Sequence, residues 1–547
     1  MIHLCRMVGM SVLLGYTSTI PVYGANSQCG EIAQLALSAA IIVSTEEVPT
    51  GSLKLPPNPL LQIETSDAPS FCRVKGVARP TTDSNIGFEV WMPLSDWDGR
   101  FVQVGNGGLA GSINFMSMLG QLKSRHAVAA TDDGHTGIGT DGSWALGHPE
   151  KVKDFGYRAV HETSVLAKNI IAKFYGSNTG YAYFTGCSEG GREALMEAQR
   201  FPRDFNGILA GSSAHYWTRL MAAFAWNAQA QNDPASYISE PRRRTVENAA
   251  LEACGFQNGV RSDFIQNPLD CKFDPSVLQC KGQETDACLT APQVEALKKI
   301  YSGPVNSRTQ ERVSAGYEPG TEAEPGLPGI SFASYVFGTA PGVSLAAAFS
   351  SSFYGNFVFQ KPDWKLASMR FDEDLATVEK KVGTVLNADN PDLTAFRRAG
   401  GKLIQYHGWN DGSPPPRSSV IYYEDVAKTM GGLAAVHGFY QLYMVPGMMH
   451  CGGGPGPNSF GNFLDPLPAM DAEHNVFLAL QRWTEKGAAP KKLFATKYRS
   501  DQPSEGVLLT RPLCPYPEVA VWNGKGKASE AETWSCATPI GATGKPR

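Results

Sequence analysis

The sequence has no apolar run able to cross a bilayer, no concentration of charge of one sign, and no closely spaced cysteine pair of the kind that holds zinc. Each absence removes a class of function. The most extended apolar stretch, Met7 to Ile20, is broken by Gly15, Thr17, Ser18 and Thr19 and falls short of the ~20 residues that a spanning helix needs. Arg6 precedes it and small residues around Val22-Tyr23-Gly24-Ala25 follow, the layout of a secretory signal peptide over residues 1–24. The 48 Lys+Arg against 52 Asp+Glu leave a net charge of -4, and no segment gathers the positive charge that nucleic acid or an anionic membrane requires. The expected partner is therefore a small molecule. No Cys-x-x-Cys pair occurs, which argues against a zinc site, and neither internal repeats nor low-complexity tracts are visible.

What is present suits an exported protein, destined for the medium or the periplasm. Removing Cys5 with the signal leaves ten cysteines, Cys29, Cys72, Cys187, Cys254, Cys271, Cys280, Cys288, Cys451, Cys514 and Cys536, an even number. Sequence alone does not fix their connectivity, but local spacing suggests Cys254 with Cys271, Cys280 with Cys288, and Cys514 with Cys536.

At 547 residues the chain exceeds the size at which one hydrophobic core stops growing. Short β-branched and aromatic runs alternate with helical patterns, an α/β rhythm. Strands are expected at Ser70 to Val77, Gly87 to Met92, Phe101 to Val104, Ala127 to Ala130, Ala182 to Thr185 and Gly207 to Ala210, and helices at Tyr157 to Phe174 and Gly190 to Arg200. From about Ala214 to Pro391 the rhythm fails, in a segment with four cysteines, many Gly and Pro, and aromatics without a period. It reads as a lid, 214–395, inserted between two parts of one core, 25–213 and 396–547. Strands at Lys402 to Tyr406 and Phe439 to Val445 and a helix at about Ala472 to Gly487 resume the pattern.

Gly186-Cys187-Ser188-Glu189-Gly190 fits the G-x-S-x-G elbow, in which a serine on a tight strand-to-helix turn tolerates small neighbours alone. A chain this rich in glycine yields on the order of 0.4 such matches by chance. Its setting raises the odds, because a strand precedes it and a helix follows. Upstream, Gly105-Asn106-Gly107-Gly108 follows another strand, where the fold places an oxyanion loop. Gly108, or else Gly107, is expected to donate one backbone hydrogen bond to the oxyanion and Glu189 the other. The bland alternative is a plain βα turn.

A serine nucleophile needs a histidine within hydrogen-bond reach and a third group to orient it. His450, in a Gly-rich loop after a late strand, is singled out by its neighbour. Cys187 precedes Ser188 and Cys451 follows His450, so a serine bonded to this histidine brings the two cysteines within disulfide distance. For the carboxylate, Asp411 in Tyr406-His407-Gly408-Trp409-Asn410-Asp411-Gly412 lies after a strand and in the order Ser, Asp, His. Asn-Asp-Gly is also an ordinary turn, and Asp392 and Asp425 are the alternatives. His407 reads as a hydrogen-bonding neighbour of the site and not as a second base.

These residues resemble the tannase and feruloyl esterase family, in the Gly-Cys-Ser-x-Gly-Gly segment at 186–191, Tyr-His-Gly-Trp-x-Asp at 406–411 and Pro-Gly-Met-x-His-Cys at 446–451. The likeness extends through Trp91 to Phe101, Arg192 to Pro202 and Arg511 to Tyr516, nearly the whole mature chain. It implies an α/β-hydrolase core with a lid, a Cys187–Cys451 bridge beside a Ser188, His450 and Asp411 triad, a further Cys29–Cys72 pair, and hydrolysis of esters of hydroxycinnamic or hydroxybenzoic acids. No cofactor is implied for the chemistry. The family lid usually carries a calcium loop, yet Gly255, Asn258 and Ser262 stand here where its aspartates are expected; with Asp263 nearby they form a poor set for a cation that wants six to eight oxygens. Relatives that hydrolyse terephthalate monoesters, the runner-up activity, hold the free carboxylate with a lid arginine, and no arginine occurs between Arg312 and Arg370. Phe349, Phe353, Tyr354 and Trp364 are lid aromatics able to sandwich an aromatic acid, with plain packing as the blander role. A serine peptidase and a hydrolase-fold binding protein without catalysis are the remaining alternatives.

Overall fold

A computed structural model describes residues 28–56, 63–326 and 329–538. The expected signal peptide lies outside them. The centre is a nine-stranded sheet: β1 (Ala40–Val48), β2 (Phe71–Ala78), β3 (Ile86–Pro93), β4 (Arg100–Val104), β5 (Ala127–Thr131), β6 (Tyr181–Cys187), β7 (Gly207–Gly211), β8 (Lys402–Gly408) and β9 (Tyr440–Val445). They lie in the order β1-β2-β3-β5-β4-β6-β7-β8-β9. Neighbours from β1 through β5 pair antiparallel, and those from β5 onward pair parallel. Every residue of β5 (AVAAT) and β7 (GILAG) is buried, the continuous apolar reading expected of parallel strands covered on both faces.

Six helices matter below: α1 (Ala159–Tyr175), α2 (Glu189–Arg200), α3 (Trp217–Ala230), α4 (Glu240–Cys254), α5 (Arg417–Met430) and α6 (Val476–Lys486). Ile170 and Ile171 of α1, Leu195 of α2 and Tyr423 of α5 join one core cluster, with Phe184 and Leu403 from the sheet. Leu480 and Trp483 of α6 join Leu119, Val102 and Ile404 in a second. A third gathers Trp217 and Phe224 of α3 with Phe337, Phe353 and Phe357 of the inserted segment and with Leu109 and Phe155 from before it.

The segment 214–391, where the alternating rhythm fails, is largely helical in places the sequence did not mark. It holds α3 and α4, of 14 and 15 residues. Most of α3 is buried, so its apolar residues cover more than one stripe and leave no amphipathic period to read. Strand β1 was not anticipated either. It is an edge strand, largely exposed, whose Ser44-Thr45-Glu46-Glu47 lacks an apolar face.

All ten cysteines among the described residues are paired: Cys29–Cys72, Cys187–Cys451, Cys254–Cys271, Cys280–Cys288 and Cys514–Cys536. Four of the pairs tie segments near in sequence. Cys187–Cys451 joins the end of β6 to the loop after β9, across a separation of 264.

Candidate active site

The loops that follow β4, β6, β8 and β9 leave the sheet at its carboxyl edge, where open α/β sheets gather their chemistry. Ser188 sits between β6 and α2 with φ +66° and ψ -119°, a conformation that costs a non-glycine residue on the order of 1–3 kcal/mol. Close packing over-determines it. A Cβ on Gly186 would lie 2.5 Å from the carbonyl oxygen of Gly190, and one on Gly190 would lie 2.9 Å from that of Asn106. The Ser188 N–H donates to Gly211 O at 3.0 Å, and its carbonyl accepts from Arg192 N–H at 3.1 Å and Ala214 N–H at 3.0 Å.

His450 Nε2 is 2.8 Å from Ser188 Oγ, and His450 Nδ1 is 2.8 Å from Asp411 Oδ2. Three side chains from three loops thus form one hydrogen-bonded line. The Cys187–Cys451 bridge fastens the neighbours of its two ends, with Cα atoms 6.0 Å apart. The edge of Tyr335 packs on the imidazole, ring centroids 5.4 Å apart at 77°, and the His450 N–H donates to Ile330 O at 3.2 Å. Both contacts come from the inserted segment.

Asp411 is fully buried and accepts on both oxygens. Oδ1 takes the Ser413 N–H at 2.7 Å; Oδ2 faces His450 and also His407 Nε2, at 3.1 Å. Burial would raise this carboxyl, but the charge of His450 and the bonds from His407 and His450 prevail and bring it down to about 2. His407 is itself held at Nδ1, 2.7 Å from Ser419 Oγ. The alternative carboxylates lie elsewhere. Asp392 is exposed and accepts from the Thr394 N–H at 2.9 Å, and Asp425 is exposed on α5.

The Gly105–Gly108 loop lies against the elbow. Gly190 N–H donates to Asn106 O at 3.0 Å, and Asn106 Nδ2 donates to Thr131 O at 2.8 Å. Gly108 has φ +62° and approaches the backbone of Gly139 so closely that a Cβ would lie 2.4 Å from its oxygen. The N–H groups of Gly107, Gly108 and Glu189 have no acceptor among the described residues.

Behind this loop the structure reveals charges that the sequence reading missed. Asp133, Glu189 and Glu193 are buried with carboxylate oxygens within 4.8 Å of one another. Arg192, fully buried, bonds to Glu189 and to the carbonyls of Phe155 at 2.8 Å and Gly156 at 2.6 Å, and lies over the rings of Phe155 and Trp217. Nothing in the spacing of these acids separates them from solvated ones. The signal available was Arg-Glu at the start of α2, directly behind the serine.

The calcium loop implied by the resemblance does not fit these residues. Phe256–Gln257 and Val260–Arg261 form a short hairpin inside the Cys254–Cys271 bridge. Gln257 and Asn267 spend their polar groups on each other: the side-chain amide of Gln257 donates to Asn267 O at 2.9 Å and accepts from Asn267 N–H at 2.8 Å. Asn258 and Asp263 are exposed, and among the described residues the cluster of acids behind the elbow is the sole group of three or more acidic, histidine or cysteine ligands in reach of one ion. Of the lid aromatics, Phe349, Phe353 and Tyr354 are buried and Trp364 is half-buried against Tyr354 and Phe359. Packing accounts for all four.

A model of the tannase and feruloyl esterase family matches residues 72–537. The chain belongs to this family. An uncharacterized esterase of Xanthomonas campestris pv. campestris is 38% identical over 98% of the chain and 96% of its own length. A probable feruloyl esterase B-2 of Aspergillus terreus is 30% identical over 89% and 91%. The crystal structure of feruloyl esterase B from Aspergillus oryzae superposes with a TM-score of 0.85 at 28% identity, covering 94% of this chain and 100% of that one. As a tannase and feruloyl esterase family member the protein is a carboxylic ester hydrolase with an α/β-hydrolase core, acting on small-molecule esters.

Proposed function

We propose that the protein hydrolyses esters of hydroxycinnamic or hydroxybenzoic acids by two-step acyl transfer, with Ser188 as nucleophile, His450 as general base and Asp411 as the group that orients it. The reading rests above all on the unbroken hydrogen-bonded line from Asp411 through His450 to Ser188. His450 takes the serine proton as Ser188 attacks the ester carbonyl, then gives it to the departing alcohol. The oxyanion would lie on the amides of Gly108 and Glu189, each contributing roughly 3 kcal/mol in the transition state. Water, activated by the same histidine, then releases the acid. No cofactor enters this sequence. Residues 214–395 act as the lid over the two core parts, 25–213 and 396–547, and supply Tyr335 beside the base. Five disulfides persist in an oxidising compartment, which supports export to the medium or the periplasm.

The acyl preference is tested by turnover of feruloyl, galloyl and terephthaloyl esters beside a peptide substrate. Feruloyl or galloyl esters are expected to lead. The absence of an arginine between 312 and 370 counts against the terephthaloyl ester. Ser188→Ala should abolish turnover while leaving the circular dichroism spectrum unchanged; a folded variant with turnover near wild type would refute the assignment.

A further inference from the structure

Around the proposed oxyanion loop, three buried carboxyls share one cation. Asp133 and Arg192 are fully buried, Glu189 is 1% exposed and Glu193 2% exposed. The guanidinium of Arg192 is bonded to Glu189 on its own helix. Neither oxygen of Asp133 has a hydrogen-bond partner, and Glu193 Oε1 and Glu189 Oε2 have none either. Three ionised carboxylates beside one guanidinium would leave two net negative charges without solvent, which costs far more than retaining protons.

One bond links this cluster to the proposed chemistry. Glu193 Oε2 accepts the Asn106 N–H at 3.0 Å, while Asn106 O accepts the Gly190 N–H at 3.0 Å. The loop bearing Gly107 and Gly108 is thereby pinned at one residue by two bonds to α2, the helix whose first amide, Glu189, is the other proposed donor. The fit is close, since a Cβ on Gly105 would lie 2.6 Å from Glu193 Oε2. We infer that Glu193 is a positioning residue that sets the spacing between the two oxyanion donors, holding the Asn106 backbone from within the buried cluster it forms with Asp133 and Glu189.

The inference rests on the Ser188 reading above and adds a pH-dependent element to it. The groups facing Glu193 are Asp133 from the loop after β5, Asn106 from the loop after β4, and Glu189, Arg192 and Glu197 on α2. Burial pushes Asp133 and Glu189 well above the ordinary carboxylate range, with Glu193 the next cause in both. When Asp133 or Glu189 loses its proton in alkaline solution, a further negative charge appears behind a site that must stabilise another. The oxyanion exists in the transition state and not in the bound substrate, so kcat should fall and KM should hold.

The experiment measures kcat and KM for a feruloyl ester from mildly acidic to alkaline pH in wild type, Glu193→Leu, Glu193→Gln and Asp133→Asn. Leucine removes the acceptor for Asn106, and kcat is expected to drop on the order of 10²-fold with KM little changed. Glutamine retains an acceptor oxygen without the charge that, after burial, holds Asp133 and Glu189 up. It should recover most of the loss and, like Asp133→Asn, displace the alkaline limb of kcat. Should Glu193→Leu fail to fold, the limb in the two amide variants still decides. An unmoved limb in folded Glu193→Gln and Asp133→Asn, or a loss confined to KM, overturns the inference. Wild-type protein without Ser188-dependent hydrolysis would instead overturn the functional reading, so the two failures are distinct.

Discussion

Two imidazoles converge on one buried carboxylate, and they do different things there. His450 lies between Asp411 and Ser188, whereas His407 bonds to Asp411 and Ser419 and has no path to the serine hydroxyl. An amide at 411 would keep the shape but present an N–H where His450 Nδ1 needs an acceptor, favouring the wrong tautomer. Asp411→Asn is therefore expected to lower kcat on the order of 10⁴-fold while KM changes little, read from steady-state kinetics on a chromogenic ester. At this scale the sequence was informative where chemistry imposes a motif. Ser188, Asp411 and His450 stand out because an elbow, a strand end and a neighbouring cysteine constrain each of them. Glu193 and Asp133 carry no such mark. A buried acid and a surface acid are the same letter, and the bond that gives Glu193 its meaning comes from Asn106, 87 residues away.

At the scale of elements, α2 meets the Gly105–Gly108 loop in close contact beside the serine. In Gly190→Ala the new methyl group would meet the Asn106 carbonyl oxygen at 2.9 Å, and that oxygen belongs to backbone that cannot swing aside. The loop must shift, and misplacement by a fraction of an ångström to one ångström costs up to about 10²-fold in rate. Kinetics on the folded variant, with a fluorophosphonate probe to show that Ser188 still reacts, would separate loop displacement from loss of the nucleophile. Elements of the parallel half were legible, since β4 to β9 are buried apolar runs whose observed ends differ from the expected ones by one or two residues. The misses have physical reasons. An edge strand such as β1 need not alternate, and α3, packed on nearly every side, shows no stripe.

For the whole molecule, burial of acids sets the response to pH. Asp132 and Glu322 are each pushed up to about 7 and Asp154 to about 6, burial being the first cause in each. Unfolded, these groups titrate near ~4. The folded protein therefore holds more protons at neutral pH, and stability must fall as pH rises through the folded values. Two buried histidines act oppositely in acid: burial lowers His135 to about 4 and His215 to about 3, so unfolding takes up their protons below ~6.5. Asp411, held at about 2, adds stability that is present above ~4 and lost as pH falls through its folded value. Calorimetry should find Tm decreasing from about pH 6.5 to 7.5, with proton release on unfolding, and Asp132→Asn should flatten that decline. A Tm that climbs over this interval would contradict the burial of these acids.

The bridge from Cys187 to Cys451 also decides what a protease can do to this enzyme. A single cut anywhere in the inserted segment separates the backbone into one piece ending beyond Ser188 and another beginning before His450. Neither piece can leave. The nicked protein stays a covalent two-chain molecule in which Ser188 and His450 remain tethered one residue from the link, so cleavage of the inserted segment need not amount to loss of activity.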